Sequence, residues 1–479
     1  MKRTTFTLLV LLMSASVIAQ TKSSVYNVKT FGAVGDGKNL DSKAINKAID
    51  SAAGAGGGTV YLPAGNYLSG SIHLKSNISL YIDQGATIIA SDEDVYDHAE
   101  QTVNTTYQDY GHSHFHNSLI WGEDVHDVSI LGPGTIYGKG LLRDYKKDSP
   151  IADKALTLHK CRNIIIRDVT FAHGGWFAIL ATGVDNLTID NLKMDTNRDG
   201  MDIDCCRNVH VSNCSVNSPY DDGICLKSTF ALGFARATEN VTITNCQVSG
   251  YDEGSFLDGT YKRTSQPEYG LHPTGRIKFN TESNGGFKNV VISNCTFDYC
   301  RGMALETVDG ALLEDVSISN ITMRDITNSP IFMRLGARMR GPQGTPVGEL
   351  RRVTISNVRV YNADAEYGCQ ITGIPGHDIK EIELNNIRIY YKGGGKANDK
   401  PVPEQEKNYP EPGMFGAMPA YGFYIRHVSG IKLRDVEVTY IDEDTRPAFV
   451  LDDVKAADIH NIKGQTAGVE EIKRVNGKQ

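Results

Sequence analysis

Five aspartates fall within NRDGMDIDCCRNVHVSNCSVNSPYDDGICLK, the 31 residues from Asn197 to Lys227, and two of them are adjacent. Asp199 and Asp221 stand 22 residues apart. If the chain returns to the same place at that interval, Asp199, Asp221 and Asp222 meet on one outer face. Like charges so close repel, and at least one carboxyl must hold its proton more readily than a free aspartate. Hydrolysis of a glycosidic bond needs that split: one carboxylic acid protonates the leaving oxygen, and a carboxylate activates water or attacks directly. Lys227, on the following strand, is placed to hold an anionic substituent or to tune the pair. Calcium binding and solvated turn aspartates are competing readings of NRDGMDID, although the DxDxDG order of an EF-hand loop is absent.

The elements that must position these groups are short and repeated. CRNIIIRDVTF begins at Cys161, VDNLTIDNLKM at Val184, CRNVHVSNCSV at Cys206, TENVTITNCQV at Thr238 and FKNVVISNCTF at Phe287. Related segments begin at Leu313, Leu350, Ile379 and Ile431. Most are a brief alternating strand, a polar pair and a second short strand. Asn163, Asn186 and Asn208 recur at spacings of 23 and 22 residues, and spacings of 32 to Asn240 and 49 to Asn289 leave room for loops. A β-sandwich also predicts alternating strands, but not one motif returning once per turn. The pattern predicts an all-β fold: a single-stranded right-handed parallel β-helix whose inward valines, isoleucines and leucines are buried only by stacking coil on coil. Neighbouring strands at roughly 4.8 Å would align the asparagines as a ladder at the turns, or as independent turn formers.

Before the repeats, FGAVGDGKNLDSKAINKAIDSAAGAGGGTVYLPAGNY contains a helix expected over about Asp41–Ala53, between glycine-rich loops, where it would cap the open end of the core. GAGGGT lacks the lysine of a phosphate loop, which argues against a nucleotide site. Tyr391–Pro419, rich in Gly, Pro, Lys and Glu, reads as a long excursion from one coil and a groove wall. The chain then divides into residues 1–19 as a leader, 24–90 as the cap and first coils, and 91–470 as the β-helix body with loop insertions.

The start, MKRTTFTLLVLLMSASVIAQ, has a basic end, a short apolar run, and Val17 and Ala19 before a cleavage point, so it reads as a secretory signal peptide. No Cys follows that point, and periplasmic or secreted protein without membrane insertion is expected. The net charge of -8 over 479 residues argues against an obligate nucleic-acid partner. Nine cysteines do not pair by count and include no CxxC, which makes zinc unpromising. Cys214, Cys246 and Cys295 follow Asn at a repeated place, as buried small hydrophobes would.

Taken together, these motifs resemble glycoside hydrolase family 28, the polygalacturonases, over roughly residues 26–460. FGAVGDG through GGGTVYLPAGNY to SNISLYIDQGATI is similar to the first coils of pectin-lyase-like folds. Asn197 and Asp199 stand at the family's Asn-Thr-Asp with Arg198 in place of Thr, Asp202 matches a further aspartate, Asp221 and Asp222 match its Asp-Asp pair, and Lys227 the lysine beyond. The resemblance implies Asp221 as proton donor, and Asp199 and Asp222 as the groups that hold and activate water for inversion. Two departures alter the sugar-binding shell. The Gly-His-Gly place falls at GYDEG, with Tyr251, Asp252 and Glu253, and the final Arg-Ile-Lys place reads RGMALE, ending in Glu306. An Arg-Ile-Lys does occur earlier, and the i, i+2 spacing of Arg276 and Lys278 puts both on one face, where they could clamp a carboxylate.

The implied function is an inverting, exo-acting hydrolase of galacturonic-acid-containing bonds in pectic oligosaccharides or polysaccharides, with no metal or other cofactor. Glu306 would repel a uronate, so a rhamnogalacturonan-type or otherwise decorated pectin is the first alternative. A non-catalytic carbohydrate-binding solenoid and a calcium-dependent lyase of similar fold are others. His112, His114 and His116, as alternate residues of an extended segment, would lie on one side and with Tyr110 and Trp121 block one groove end, or hold a metal. His173 and Trp176, one coil before Asp199, suggest a sugar-stacking platform, or coil packing.

Overall fold

The computed structural model describes residues 24–108, 110–144, 146, 149–264, 273–398 and 400–476. The leader expected over residues 1–19 lies outside them. Every strand pair among the described residues is parallel, which a sandwich of hairpins does not produce. The chain winds as a right-handed parallel β-helix with one N-terminal capping helix.

One coil shows the plan. Strands Phe177–Thr182, Asp185–Asp190 and Lys193–Asp195 follow one another around the axis. Each pairs with its counterpart in the next coil: Asp199–Asp204, Arg207–Ser212 and Ser215–Asn217. Inward side chains repeat with the coil. Val209, Val241, Val290, Val316, Val353, Ile382 and Ile431 lie level with one another along the axis, and all are buried. Each β-branched side chain thus covers the one before it, and no coil closes its core alone.

The asparagines do both things their type allows. Asn163, Asn186, Asn208, Asn240 and Asn289 all have φ between 53 and 57°, the left-handed conformation that Asn tolerates. Their amides also form a continuous ladder along the turns: Asn186 donates to Asn163 (2.8 Å), Asn208 to Asn186 (3.1 Å), Asn240 to Asn208 (3.1 Å) and Asn289 to Asn240 (2.8 Å).

The helix spans Ser42–Gly54, one residue later than expected, and buries Ile45, Ala48, Ile49 and Ala52 over the first coil. Asp41 just before it accepts from the backbone N–H groups of Val34 (2.7 Å) and Gly35 (2.9 Å), which folds the FGAVGDG loop onto the cap. All nine cysteines are free thiols and buried. No helix among the described residues is long and apolar enough to cross a membrane.

Candidate active site

The carboxylates gather on the sheet that contains Asp199–Asp204, Ile224–Ser228, Ile277–Ser283 and Met303–Thr307. The register corrects one expectation. Met201 pairs with Ile224, an offset of 23, so Asp199 lies level with Asp222, and not with Asp221. The SPYDDG turn is one residue longer than the preceding coil allows for. Gly200 N–H donates to the Asp222 carbonyl at 3.0 Å. A Cβ at Gly200 would come within 2.4 Å of the Gly223 carbonyl oxygen, which explains the glycine between Asp199 and Met201.

Asp199, Asp222 and Cys225 bring one side-chain O or S atom each within 4.8 Å of one another, and all three are buried. The two carboxyls are pushed in opposite directions. Burial, with Asp221 and Asp202 nearby, pushes Asp199 well above the usual carboxylate range. Burial would do the same to Asp222, but Arg276 and Lys278 outweigh it and hold Asp222 below that range. Arg276 Nε donates to Asp222 Oδ1 at 2.7 Å, and Lys278 Nζ lies 3.6 Å from Oδ2. A divalent cation fits this donor set poorly. Burial holds the Cys225 thiol protonated, and two cations already face Asp222. Asp378, His427 and Asp453 form a second close group, but Lys455 pairs with both of its aspartates.

Asp221, 30% exposed, is ion-paired with Arg198, whose guanidinium lies 3.7 Å from the Trp176 ring centroid. Trp176 is therefore covered by a cation and packed beside Phe177. His173 contacts Glu253, which also pairs with Arg143 at 2.7 Å. Asp252 accepts from the Thr264 backbone at 3.0 Å and from its hydroxyl, closing its own loop. Asp202 and Lys227 lie deeper. Lys227 Nζ is 3.5 Å from Asp202, 3.4 Å from Glu282 and 2.8 Å from His112 Nε2. Burial alone would lower that ammonium, but Asp202 and Glu282 keep it firmly charged. Asp204, the fifth aspartate, is structural: it accepts from the Thr229 N–H (2.8 Å) and hydroxyl (2.6 Å).

Three groups escaped the sequence reading. Glu411, from the excursion after Tyr391, contacts Arg276, Lys278 (3.7 Å) and Arg301 (3.2 Å). Burial would raise its carboxyl, but those three cations hold it at about 2. Arg301 and Glu282 complete the set. Glu306 lies 3.4 Å from Lys278, and burial pushes it up to about 8 despite the pull of Lys278 and Arg276. That shift favours the neutral acid and weakens the repulsion of a uronate expected of it. The histidine segment is not extended as expected. It opens with a single turn of 3-10 helix at Tyr110–His112, so the rings part: His112 meets Lys227 and Phe177, while His116 stacks on Trp121 at 4.1 Å.

Residues 25–126 match the family described as rhamnogalacturonase A/epimerase, pectate lyase-like, and residues 151–266 match the right-handed β-helix region. A probable polygalacturonase of Vitis vinifera is 25% identical over 377 residues, 70% of this chain and 73% of that protein. The plasmin and fibronectin-binding protein A of Streptococcus pneumoniae is 35% identical over 180 residues, 36% of this chain but only 24% of that protein. Among solved structures, the family 28 exopolygalacturonase of Yersinia enterocolitica superposes with a TM-score of 0.67 at 18% identity, covering 96% of this chain and 79% of that one.

Proposed function

We propose, for a chain that resembles the pectin-degrading β-helix proteins of glycoside hydrolase family 28 type and whose fold and likeness point to a glycoside hydrolase-like enzyme, that it cleaves galacturonic-acid-containing bonds of pectin with inversion, working from a chain end. The observation that carries this is the Asp199–Asp222 pair, two carboxyls within 4.8 Å whose surroundings push them in opposite directions, Asp199 toward the neutral acid and Asp222 toward the carboxylate. Carboxyls that close do not flank a glycosidic bond at the inverting separation of about 6.5–9.5 Å, but they clasp one water between them. Asp222 then takes the proton as that water attacks the anomeric carbon, and Asp199 orients the water by hydrogen bonding. The third carboxyl, Asp221, takes up a proton from solvent once substrate draws Arg198 away from it and passes that proton to the leaving oxygen, while the proton of the attacking water goes to Asp222 and from there to solvent.

End-on action is supported by the segment over the sheet on the N-terminal side of the aspartates. His112 packs on Phe177 at 5.0 Å, and Phe115 stacks on His159 at 4.0 Å, which seats this segment on the coils before Asp199, where it would block one end of a substrate groove. The test is the product. Defined pectic oligosaccharides should release one short sugar at a time, and proton NMR should show the inverted anomer first. A retained anomer, or an unsaturated product absorbing near 235 nm, would overturn the assignment. The likeness to a binding protein supports a non-catalytic reading, and binding with no cleavage of any pectic substrate would decide for it.

A further inference from the structure

We propose that Glu411 is a built-in occupant of a carboxylate seat and that it sets this site to take a neutral sugar residue beside Asp222. The proposal rests on the hydrolase reading above and names its substrate class: a pectic chain in which uronates stand next to neutral hexose or deoxyhexose residues.

The seat is made of cations from two successive coils. Arg276 and Lys278 are 2% and 1% exposed, and Arg301 lies just before the next strand of the same sheet. Their nitrogens converge on one carboxylate that also touches solvent, with Glu411 24% exposed. A planar guanidinium fork facing a carboxylate is how proteins recognise that group. Here the carboxylate comes from the chain itself, 135 residues after Arg276.

Glu411 is fixed in place. Pro410 and Pro412 flank it, and a residue before proline is pushed into the extended region; its φ and ψ are -139° and 146°. Just beyond, Phe415, Met418 and Ala420 pack with Ala304, Phe332, Tyr424 and Val450 in a buried cluster. Arg334 donates to the Glu404 carbonyl at 2.8 Å and Arg426 to that of Val402 at 2.8 Å, securing the earlier part of the excursion. A segment held on both sides is a wall and not a flap. Asp222 and Glu411 together offset two of the three cations, and Glu411 alone already contacts all three, Arg276, Lys278 and Arg301. An incoming uronate would meet two carboxylates already in possession of the cations. A neutral sugar meets the same groups as hydrogen-bond partners and brings no charge to desolvate.

The experiment compares wild type, Glu411→Gln and Glu411→Ala on uronate-only oligosaccharides and on oligosaccharides with a neutral residue at the cleaved position. Wild type should favour the mixed substrate in kcat/KM. Glu411→Ala should raise the uronate-only value relative to the mixed one by at least about tenfold, and Glu411→Gln should do so by less, because it keeps the wall's shape. Calorimetric titration with galacturonate should show binding gained in Glu411→Ala and lost again when Arg301→Ala is added. An equal change on both substrates would mean only that a cover had been removed, and with no gain of galacturonate binding it would overturn the proposal. Failure of the hydrolase reading looks different: wild type cleaves neither substrate, while the galacturonate titration still reports on the seat.

Discussion

Asp199 and Asp222 are identical side chains in different company: burial and the carboxyls of Asp221 and Asp202 prevail at one, and Arg276 and Lys278 prevail over burial at the other. Their substitution should be unequal for that reason. Asp222→Asn removes the base and should lower kcat by about 10²–10⁴-fold. Asp199→Asn keeps the shape of the neutral acid that burial favours there and should lose clearly less. Asp221→Asn should lose heavily on sugar leaving groups and recover on an aryl glycoside whose leaving group needs little protonation, a recovery that Asp222→Asn should lack. Steady-state kinetics on the two substrate types checks all three. Glu306 makes a prediction about pH. Its folded value of about 8 lies above the ordinary 4.5, so any charge it carries when unfolded penalises folding. The folded protein is free of that penalty below pH 4.5, loses stability as pH rises toward 8, and loses no more beyond. Glu306→Gln should therefore match wild type in Tm at acid pH and exceed it increasingly up to about pH 8, as read by scanning calorimetry. The aspartates were legible at this scale because their spacing repeats. Glu411 was not, because nothing local to YPEP says which coil the excursion folds across.

The Asn turns connect residue types to whole coils. Asn208 donates to Asn186, accepts from Asn240 and adopts φ 54°. Asn208→Ala loses both amide bonds and leaves in the left-handed region a side chain without the polar group that lets Asn tolerate it, and should cost about 2 kcal/mol. Asn208→Gly keeps the backbone conformation and should cost about 1 kcal/mol less; urea unfolding of both variants measures the difference. The recurrence of these asparagines made the coil visible in the sequence, since one residue type satisfies both the turn and the ladder. The exact offset was not visible. One extra residue in SPYDDG moved the partner of Asp199 from Asp221 to Asp222, and a period counted over other coils carries no information about a single turn. The histidine segment failed for a related reason: alternation has meaning only in a strand, and Tyr110–His112 turns.

As a whole, the molecule is one stack whose end coil is shielded by a helix. Ile49 is fully buried in that helix, on the first coil. Ile49→Asp places a charge against the apolar end and should lower Tm markedly and promote association, measurable by calorimetry and light scattering. The fold class was legible because the core pattern recurs along most of the chain, whereas where each excursion lands depends on contacts between distant coils. The nine free thiols carry one more consequence. They are spaced from Cys161 to Cys369, all buried, and Cys214, Cys246 and Cys295 follow the same turn in successive coils. Each is therefore a stopwatch on its own coil, silent to an alkylating reagent until that coil opens. Mass-resolved alkylation in rising urea would show whether the solenoid frays from one end, with labels arriving in chain order, or breaks all at once.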